Sequence, residues 1–213
     1  HYTYIEPLMR VDFRDVEISL KNVQGLIFTS RNALRWVARK GNLKEMTALP
    51  AFVVGPATAS LAKSLGFRRV FEGGGTARDL LDVINAQAQV SNDKLLHISG
   101  KDVASDILPW LEAFGLGAER VIVYDSVSAD NISSGNLERM KRGEIDAVLL
   151  MSPKTSETWC KLLKTNWYLI SDGIPTAFCI SDATAEPLKK MENVSVRIAQ
   201  KPNIEELLAL LED

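Results

Sequence analysis

The chain has 213 residues, enough for one large α/β domain or for two domains of roughly 100 residues each. Hydrophobic residues make up 46% and charged residues 24%, an ordinary globular composition, and no apolar run approaches the roughly 18 residues that a membrane helix needs. The net charge of −2 and the pI of about 5.8 disfavour a nucleic-acid-binding protein, which would need a basic surface for phosphates. We therefore expect a soluble protein.

Short apolar runs alternate with helical patterns along most of the sequence. The predicted strands are LIF (26–28), AFVV (51–54), RVF (69–71), LLHI (95–98), RVIVY (120–124), AVLLM (147–151), TAFCI (176–180) and VSVRIA (194–199). The predicted helices are NALRWVARK (32–40), ATASLAKSL (57–65), TARDLLDVINAQ (76–87), VASDILPWLEAF (103–114), GNLERMKRG (135–143), KTSETWCKLL (154–163), ATAEPLKKM (183–191) and IEELLALLE (204–212). This alternation predicts an α/β fold with parallel sheets flanked by helices.

Two stretches indicate where the chain divides. The segment YDSVSADNISSGN, residues 124–136, is rich in Ser, Asn and Asp, and YTYI near the start alternates like an edge strand. We expect residues 1–7 and 124–128 to form a two-stranded linker. It would join a first α/β domain of residues 8–123 to a second of residues 129–213.

The two halves of the sequence resemble each other. LIFTS at 26 matches VLLMS at 148, FVVGPATASLAKSLGF matches FCISDATAEPLKKM, and TARDLL matches NIEELL, at nearly constant offsets. Three matched strand-turn-helix units indicate two similar domains, because a repeated supersecondary set usually buries its own core. One continuous sheet of eight strands is the alternative.

Polar residues gather in the turns that follow the predicted strands. Ligands of parallel sheets bind outside the carboxyl ends of the strands, where such turns converge. Each turn also begins a helix, so ordinary N-capping explains any one of them, whereas several at one edge would form a site for anions. The turns are TSRN (29–32), GPAT (55–58), SGKD (99–102), SPKTS (152–156) and SDAT (181–184).

Conventional catalytic motifs are missing from the sequence. GGGT at 73–76 lacks the spacing of a phosphate loop, and we expect a turn in which Thr76 caps the next helix. His97, the one internal histidine, lies in the apolar run LLHIS and is predicted to line the core. Cys160 and Cys179 have no metal-ligand spacing and are predicted to be core thiols of a reducing compartment, the cytoplasm. Tyr124 either forms a structural hydrogen bond or faces a cleft.

The ordered series LIFTSRNAL, VVGPATASLAKSLGF, strand-SGK-helix, VIVYDSV, AVLLMSPKTSETW, ISDATAEPLKKM and KPNIEELLALL resembles uroporphyrinogen-III synthase over nearly the whole chain. The resemblance implies two α/β domains of HemD-like bilobed architecture, joined by a two-stranded linker, with the active site in the cleft. It also implies a cofactor-free enzyme that cyclises hydroxymethylbilane to uroporphyrinogen III. A monomer is the default expectation, and a transient contact with hydroxymethylbilane synthase is a candidate partner interaction. Neither a metal nor a nucleic acid is expected.

The resemblance also assigns functional residues. By position it places Thr29, Ser30, Thr58, Tyr124, Ser152 and Thr184 in the cleft as substrate ligands, with Ser99, Gly100 and Lys101 lining the same side. Asn32 of the first turn is a further candidate ligand, and we hypothesise that Tyr124 is the general acid that donates to the departing hydroxyl group. The family begins with a further strand and helix, so the domain of residues 129–213 is expected to lack its first strand. The second copy reads SDAT where many members carry Gly-Pro before the threonine, which weakens the expectation for Thr184.

Two other classes of function remain open at the level of sequence. A two-lobed binding module, or an inactive truncated relative, would use the same capped turns to hold an anion without chemistry. Flavodoxin-like electron transfer is a weaker alternative, since no Ser/Thr-rich phosphate loop with aromatic flanks for a flavin is present.

Overall fold

The computed structural model describes residues 2–170 and 173–212. By contacts between residues the chain forms two compact units, a first unit of Val11–Ser126 and a second unit of Val127–Asp213 together with the residues up to Arg10. The predicted linker segment starts at His1 and the predicted second domain ends at Asp213, and both of these residues lie outside the described part of the chain.

The first unit is built on a six-stranded sheet with helices between its strands. Its elements are β1 (Met9–Phe13), β2 (Val23–Phe28), α1 (Arg31–Val37), α2 (Leu43–Ala48), β3 (Ala51–Val53), α3 (Pro56–Ser64), β4 (Val70–Glu72), α4 (Ala77–Gln87), β5 (Lys94–Gly100), α5 (Leu108–Ala113) and β6 (Ala118–Ser128). The strand order is β1-β6-β5-β2-β3-β4, and the pairs β6-β5, β5-β2, β2-β3 and β3-β4 are parallel. The chain passes between the units within β1 and near the end of β6.

The second unit has its own parallel sheet. Its elements are α6 (Ser134–Lys141), β7 (Ala147–Leu150), α7 (Pro153–Ile170), β8 (Thr176–Cys179), α8 (Asp182–Ala185), β9 (Val196–Ile198) and α9 (Ile204–Ala209). The strand order β7-β8-β9 repeats the parallel order β2-β3-β4 of the first unit, as the duplicated sequence predicts. The alternative of one continuous sheet is wrong, because the described strands form two sheets.

Alternation along the strands covers both faces of the first unit's sheet. Leu96 and Ile98 of β5 pack into a core with Phe28 and Trp36, whereas Leu95 packs into a separate core on the α4 and α5 side. Because successive side chains of a strand point to opposite faces, His97 and Ser99 belong to the same face as Leu95. A sheet buried on both faces needs near-continuous apolar strands, which explains why the strands were readable from the sequence.

Several predicted boundaries are wrong. The N-terminal strand is Met9–Phe13 rather than YTYI, since residues 2–7 form no strand. The predicted helix 183–191 stops at Ala185, two residues before Pro187, which cannot continue a helix without loss of a hydrogen bond. The predicted helix 103–114 is helical only over Leu108–Ala113. Helix α2 was not predicted, and α7 is longer than predicted.

The predictions that Thr76 caps a helix and that both cysteines are core thiols are confirmed. Thr76 caps α4 in a capping box with Asp79, so the glycines before it form a turn. Cys160 and Cys179 are free and buried, and burial raises the pKa of Cys179 to about 11. None of the described helices is both long and apolar enough to cross a lipid bilayer.

Candidate functional site

The turn after β2 holds the first group of predicted ligands. Ser30 is the N-cap of α1, and its side chain accepts a hydrogen bond from the Asn32 backbone N–H at 3.2 Å. The Asn32 side chain accepts a bond from Arg35 at 3.0 Å. Thr29 precedes the cap and is half-buried, so its hydroxyl is the group in this turn that the helix cap does not use.

A buried histidine lies against Thr29. The Nε2 atom of His97 is 3.1 Å from the Thr29 hydroxyl, and the imidazole is fully buried. Burial, the larger cause, and the nearby positive charge of Arg120 together lower the pKa of His97 to about 4, against a smaller opposing effect of Asp106. The ring is therefore neutral near pH 7, and the core-lining prediction for His97 is correct in burial but omits this contact.

An arginine organises the SGK turn at the end of β5. The Nε atom of Arg120 donates to the Ser99 hydroxyl at 2.8 Å, and its terminal nitrogen donates to the carbonyl oxygens of Gly100 and Lys101. Ser99 is 1% exposed, and its own hydroxyl donates to the Gly100 carbonyl at 3.1 Å. Ser99 and Arg120 thus support the turn from inside, while the Lys101 side chain is exposed.

Tyr124 lies directly against the same turn. Strand register places Tyr124 opposite Gly100, and a Cβ at position 100 would come within 2.6 Å of the tyrosine ring. Only glycine leaves room for this contact. The Tyr124 side chain packs edge-on against Phe13 and is 6% exposed, and its hydroxyl forms no hydrogen bond within the described chain. The structural hydrogen bond considered from the sequence is therefore absent from the described residues, which leaves the hydroxyl available to a ligand.

The two copies of the next turn differ in how they use their threonine. In the second unit Ser181 caps α8 and contacts the Thr184 hydroxyl at 3.1 Å, so Thr184 is fully buried within its own helix cap. In the first unit the cap is Gly55, which has no side chain to offer, and the Thr58 hydroxyl has no partner in the described residues. The geometry therefore favours Thr58, rather than Thr184, as a ligand.

This difference predicts the behaviour of a reciprocal pair of variants. Gly55→Ser has room for its Cβ, whose nearest neighbour would be 3.6 Å away, and should engage Thr58 as Ser181 engages Thr184. We expect a gain of a few tenths of a kcal/mol in stability with about a tenfold weaker binding of an anionic ligand. Ser181→Gly is the matched control and should lose a few tenths of a kcal/mol. If Gly55→Ser and Ser181→Gly changed the binding of the ligand equally, the assignment of Thr58 as a ligand would be contradicted.

In the second unit, both predicted ligands make contacts within their own turns. Ser152 accepts a bond from the Thr155 backbone N–H at 3.2 Å and contacts the Thr155 hydroxyl, which is the role of an N-cap. A cavity of about 660 Å³ in this unit runs beside β7, and neither Ser152 nor Thr184 lines it. Its wall includes Glu6, Glu144 and Asp146, which would repel an anion.

Arg120 was not predicted from the sequence as a residue of this site. One feature of the sequence could have indicated it: Arg120 is a charged residue in the otherwise apolar predicted strand RVIVY, which lies next to a sheet edge. The contact with Ser99 depends on the register between β5 and β6, which pairs His97 with Arg120 and which no local pattern fixes.

Fold and site define a duplicated α/β protein that presents hydroxyl groups and backbone N–H groups at the carboxyl ends of parallel strands. Within the described residues no cluster of three or more His, Cys, Asp or Glu side chains could hold a metal ion. The family model for uroporphyrinogen-III synthase HemD matches residues 3–209, and the chain belongs to this family.

Solved structures with the same fold carry the same family name. The crystal structure of uroporphyrinogen-III synthetase from Helicobacter pylori 26695 aligns with a TM-score of 0.69 and 19% identity, covering 100% of this chain and 95% of that one. A mutant uroporphyrinogen III synthase from the extremely thermophilic bacterium Thermus thermophilus aligns with a TM-score of 0.50 and 15% identity, covering 97% and 85%. At such identities the likeness supports the fold alone. No curated protein sequence matches this chain significantly.

Proposed function

We propose that this protein is a uroporphyrinogen-III synthase, which cyclises hydroxymethylbilane to uroporphyrinogen III with inversion of ring D and loss of water, in the cytoplasmic biosynthesis of haem and sirohaem. The observation that carries the proposal is the family match over residues 3–209. The reaction class would be that of a cyclising hydro-lyase without a cofactor, and the working form a monomer. A transient contact with hydroxymethylbilane synthase would deliver the labile substrate.

The charge of the substrate suits the groups of the first unit. Every pyrrole ring of hydroxymethylbilane carries an acetate and a propionate arm, so the ligand is a polyanion. Thr58 and Thr29 offer hydroxyl groups, and Lys101 adds an exposed cation. Neutral donors can orient carboxylates without a dense basic patch, in agreement with the net charge of −2.

The chemistry needs little from the protein apart from positioning. The hydroxyl of the hydroxymethyl group on ring A leaves as water once its oxygen accepts a proton, while the carbon stays on the ring. The pyrrole nitrogen electrons form the exocyclic C=C bond of the resulting azafulvenium ion. The substituted carbon of ring D then attacks, giving a spiro intermediate whose opening and reclosure invert that ring and release a proton. Holding the chain so that the substituted carbon, and not the free terminal carbon, is nearest accounts for selectivity.

Tyr124 is the proposed donor to the departing hydroxyl group. Its hydroxyl has no partner in the described chain, so Tyr124→Phe removes a donor without leaving another protein group unsatisfied. We expect a stability change within about 0.5 kcal/mol and a fall in kcat of about a hundredfold, measured by single-turnover kinetics. Tyr168→Phe, at a side chain that is 97% exposed, is the control. Unchanged turnover in Tyr124→Phe would exclude the role.

The decisive experiment is the isomer composition formed from enzymatically generated hydroxymethylbilane. Spontaneous closure gives uroporphyrinogen I, so formation of isomer III in excess over a protein-free control supports the proposal. Isomer I as the sole product would mean that the protein is inactive or is a binding module. Tight binding of hydroxymethylbilane without isomer III would select the binding module.

A further inference from the structure

His97 occupies a position where an apolar residue would be expected. It lies within β5 between Leu96 and Ile98, which are both in the core, and its side chain is fully buried. Its Nε2 atom contacts the Thr29 hydroxyl at 3.1 Å, and its Nδ1 atom is buried without a hydrogen-bond partner among the described residues. Burying an imidazole with one nitrogen unbonded costs free energy of folding, so the presence of a histidine at this position needs an explanation.

The charge state of the ring restricts the explanation. His97 is surrounded by the core of the α4 and α5 face, with Arg120 and Asp106 as the charged groups that act on it. Burial and the Arg120 charge favour the neutral ring. A neutral imidazole has one N–H donor and one acceptor lone pair, so Nε2 either donates to Thr29 or accepts from it.

The unpartnered Nδ1 atom discriminates between these two arrangements. If Thr29 donated to Nε2, the ring proton would be on Nδ1, as a buried N–H without an acceptor. Orphaned buried donors are rare in native proteins. With the proton on Nε2, the ring donates to Thr29 and only a lone pair at Nδ1 is left without a partner. The second arrangement is the more stable one, and it leaves the hydroxyl proton of Thr29 free.

We propose that His97 is a positioning residue that, as the Nε2–H tautomer, donates a hydrogen bond to the Thr29 oxygen. The hydroxyl proton of Thr29 is then directed to a substrate carboxylate. Thr29 is half-buried and forms no further side-chain hydrogen bond within the described residues, so its proton has no competing internal acceptor. This inference rests on the proposed function. The inference also explains why a polar residue, His97, interrupts the apolar strand behind the ligand site.

The tautomer can be observed directly by nuclear magnetic resonance. The chain contains only two histidines, His1 and His97, so a protein labelled with ¹⁵N-histidine gives two imidazole systems, and His97→Gln assigns them. We expect the His97 ring to carry its proton on Nε2 at pH 7. A proton on Nδ1, or averaging between the two tautomers, would overturn the proposal.

A double-mutant cycle measures whether His97 acts through Thr29. His97→Phe and Thr29→Val should each raise KM about tenfold while changing kcat less, and the double variant should be no worse than Thr29→Val. His97→Gln keeps an N–H donor and should recover part of the binding. Additive effects on KM would show that His97 does not act through the hydroxyl.

Leu95→Val is the control for a purely structural role. Leu95 lies on the same strand and the same sheet face as His97 and is also fully buried. The Thr29 hydroxyl bonds to His97 and not to Leu95, so a change at Leu95 removes packing without removing that hydrogen bond. This variant should lower the Tm and leave KM unchanged. The NMR spectrum requires no turnover, so the two proposals fail independently. Formation of isomer I alone would refute the proposed function, and the tautomer would still decide the role assigned to His97.

Discussion

Arg120→Met should destabilise the first unit by about 2–4 kcal/mol and reduce kcat/KM by about a hundredfold. The guanidinium donates to the Ser99 hydroxyl and to the carbonyl oxygens of Gly100 and Lys101. Methionine fills the volume of the side chain but donates nothing, so the buried Ser99 and Gly100 oxygens lose a charged donor. The turn would then shift, and with it the contact between Gly100 and Tyr124.

Two further variants separate charge from geometry in this prediction. Arg120→Lys keeps the positive charge without the planar fork that reaches three acceptors, and should recover less than half of the lost stability. Arg68→Met changes an exposed arginine and should stay within about 0.5 kcal/mol of the wild type. Urea unfolding and steady-state kinetics provide the two readouts. Equal unfolding midpoints for Arg120→Met and Arg68→Met would contradict the role of Arg120.

The strands and the duplication were predictable because they depend on local, repeated patterns. Every apolar run assigned as a strand overlaps a strand of the structure, since a parallel sheet covered on both faces needs continuous apolar segments. The relation between β2-β3-β4 and β7-β8-β9 follows from the matched turns. The resemblance to uroporphyrinogen-III synthase is likewise confirmed by the family match.

Helix lengths and the N-terminal strand were less predictable. Helix α2 has a single buried residue, Met46, so its apolar periodicity is too weak to identify it. The predicted helix 183–191 has helical composition but also contains Pro187, and the proline decides where α8 ends. YTYI alternates like a strand, yet the pairing beside β6 falls on Met9–Phe13, because register is set by tertiary contacts.

The site shows how similar sequences acquire different roles. LIFTS and VLLMS place Ser30 and Ser152 at equivalent caps, whereas Thr29 has Met151 as its counterpart. GPAT and SDAT place Thr58 and Thr184 at equivalent positions, but only the second copy has a cap side chain for its threonine. The duplication therefore locates the turns, and the unmatched residues decide which turns keep a hydroxyl group that the helix cap does not use. The polar contacts beneath them, from His97 and Arg120, depend on strand register and could not be predicted locally.

The burial of a neutral histidine should make this protein sensitive to mild acid. His97 has a folded pKa of about 4 against about 6.5 when exposed, so between these values the unfolded chain binds a proton that the native chain does not. The free energy of unfolding should therefore be unaffected above about pH 7 and fall as the pH decreases from about 6.5 to about 4, by about 3 kcal/mol in total.

His97→Gln isolates this contribution, because glutamine keeps a hydrogen-bond donor for Thr29 and does not titrate. Carboxylates elsewhere in the chain titrate in both proteins, so the difference between the two stability profiles belongs to His97 and to its interactions with Arg120 and Asp106. Urea unfolding at pH 7.5 and at several lower values should give a profile that falls more steeply for the wild type, by up to about 1.4 kcal/mol per pH unit near pH 5. Parallel profiles would mean that the native protein accommodates a protonated His97, and the neutral ring inferred from its burial would then be wrong.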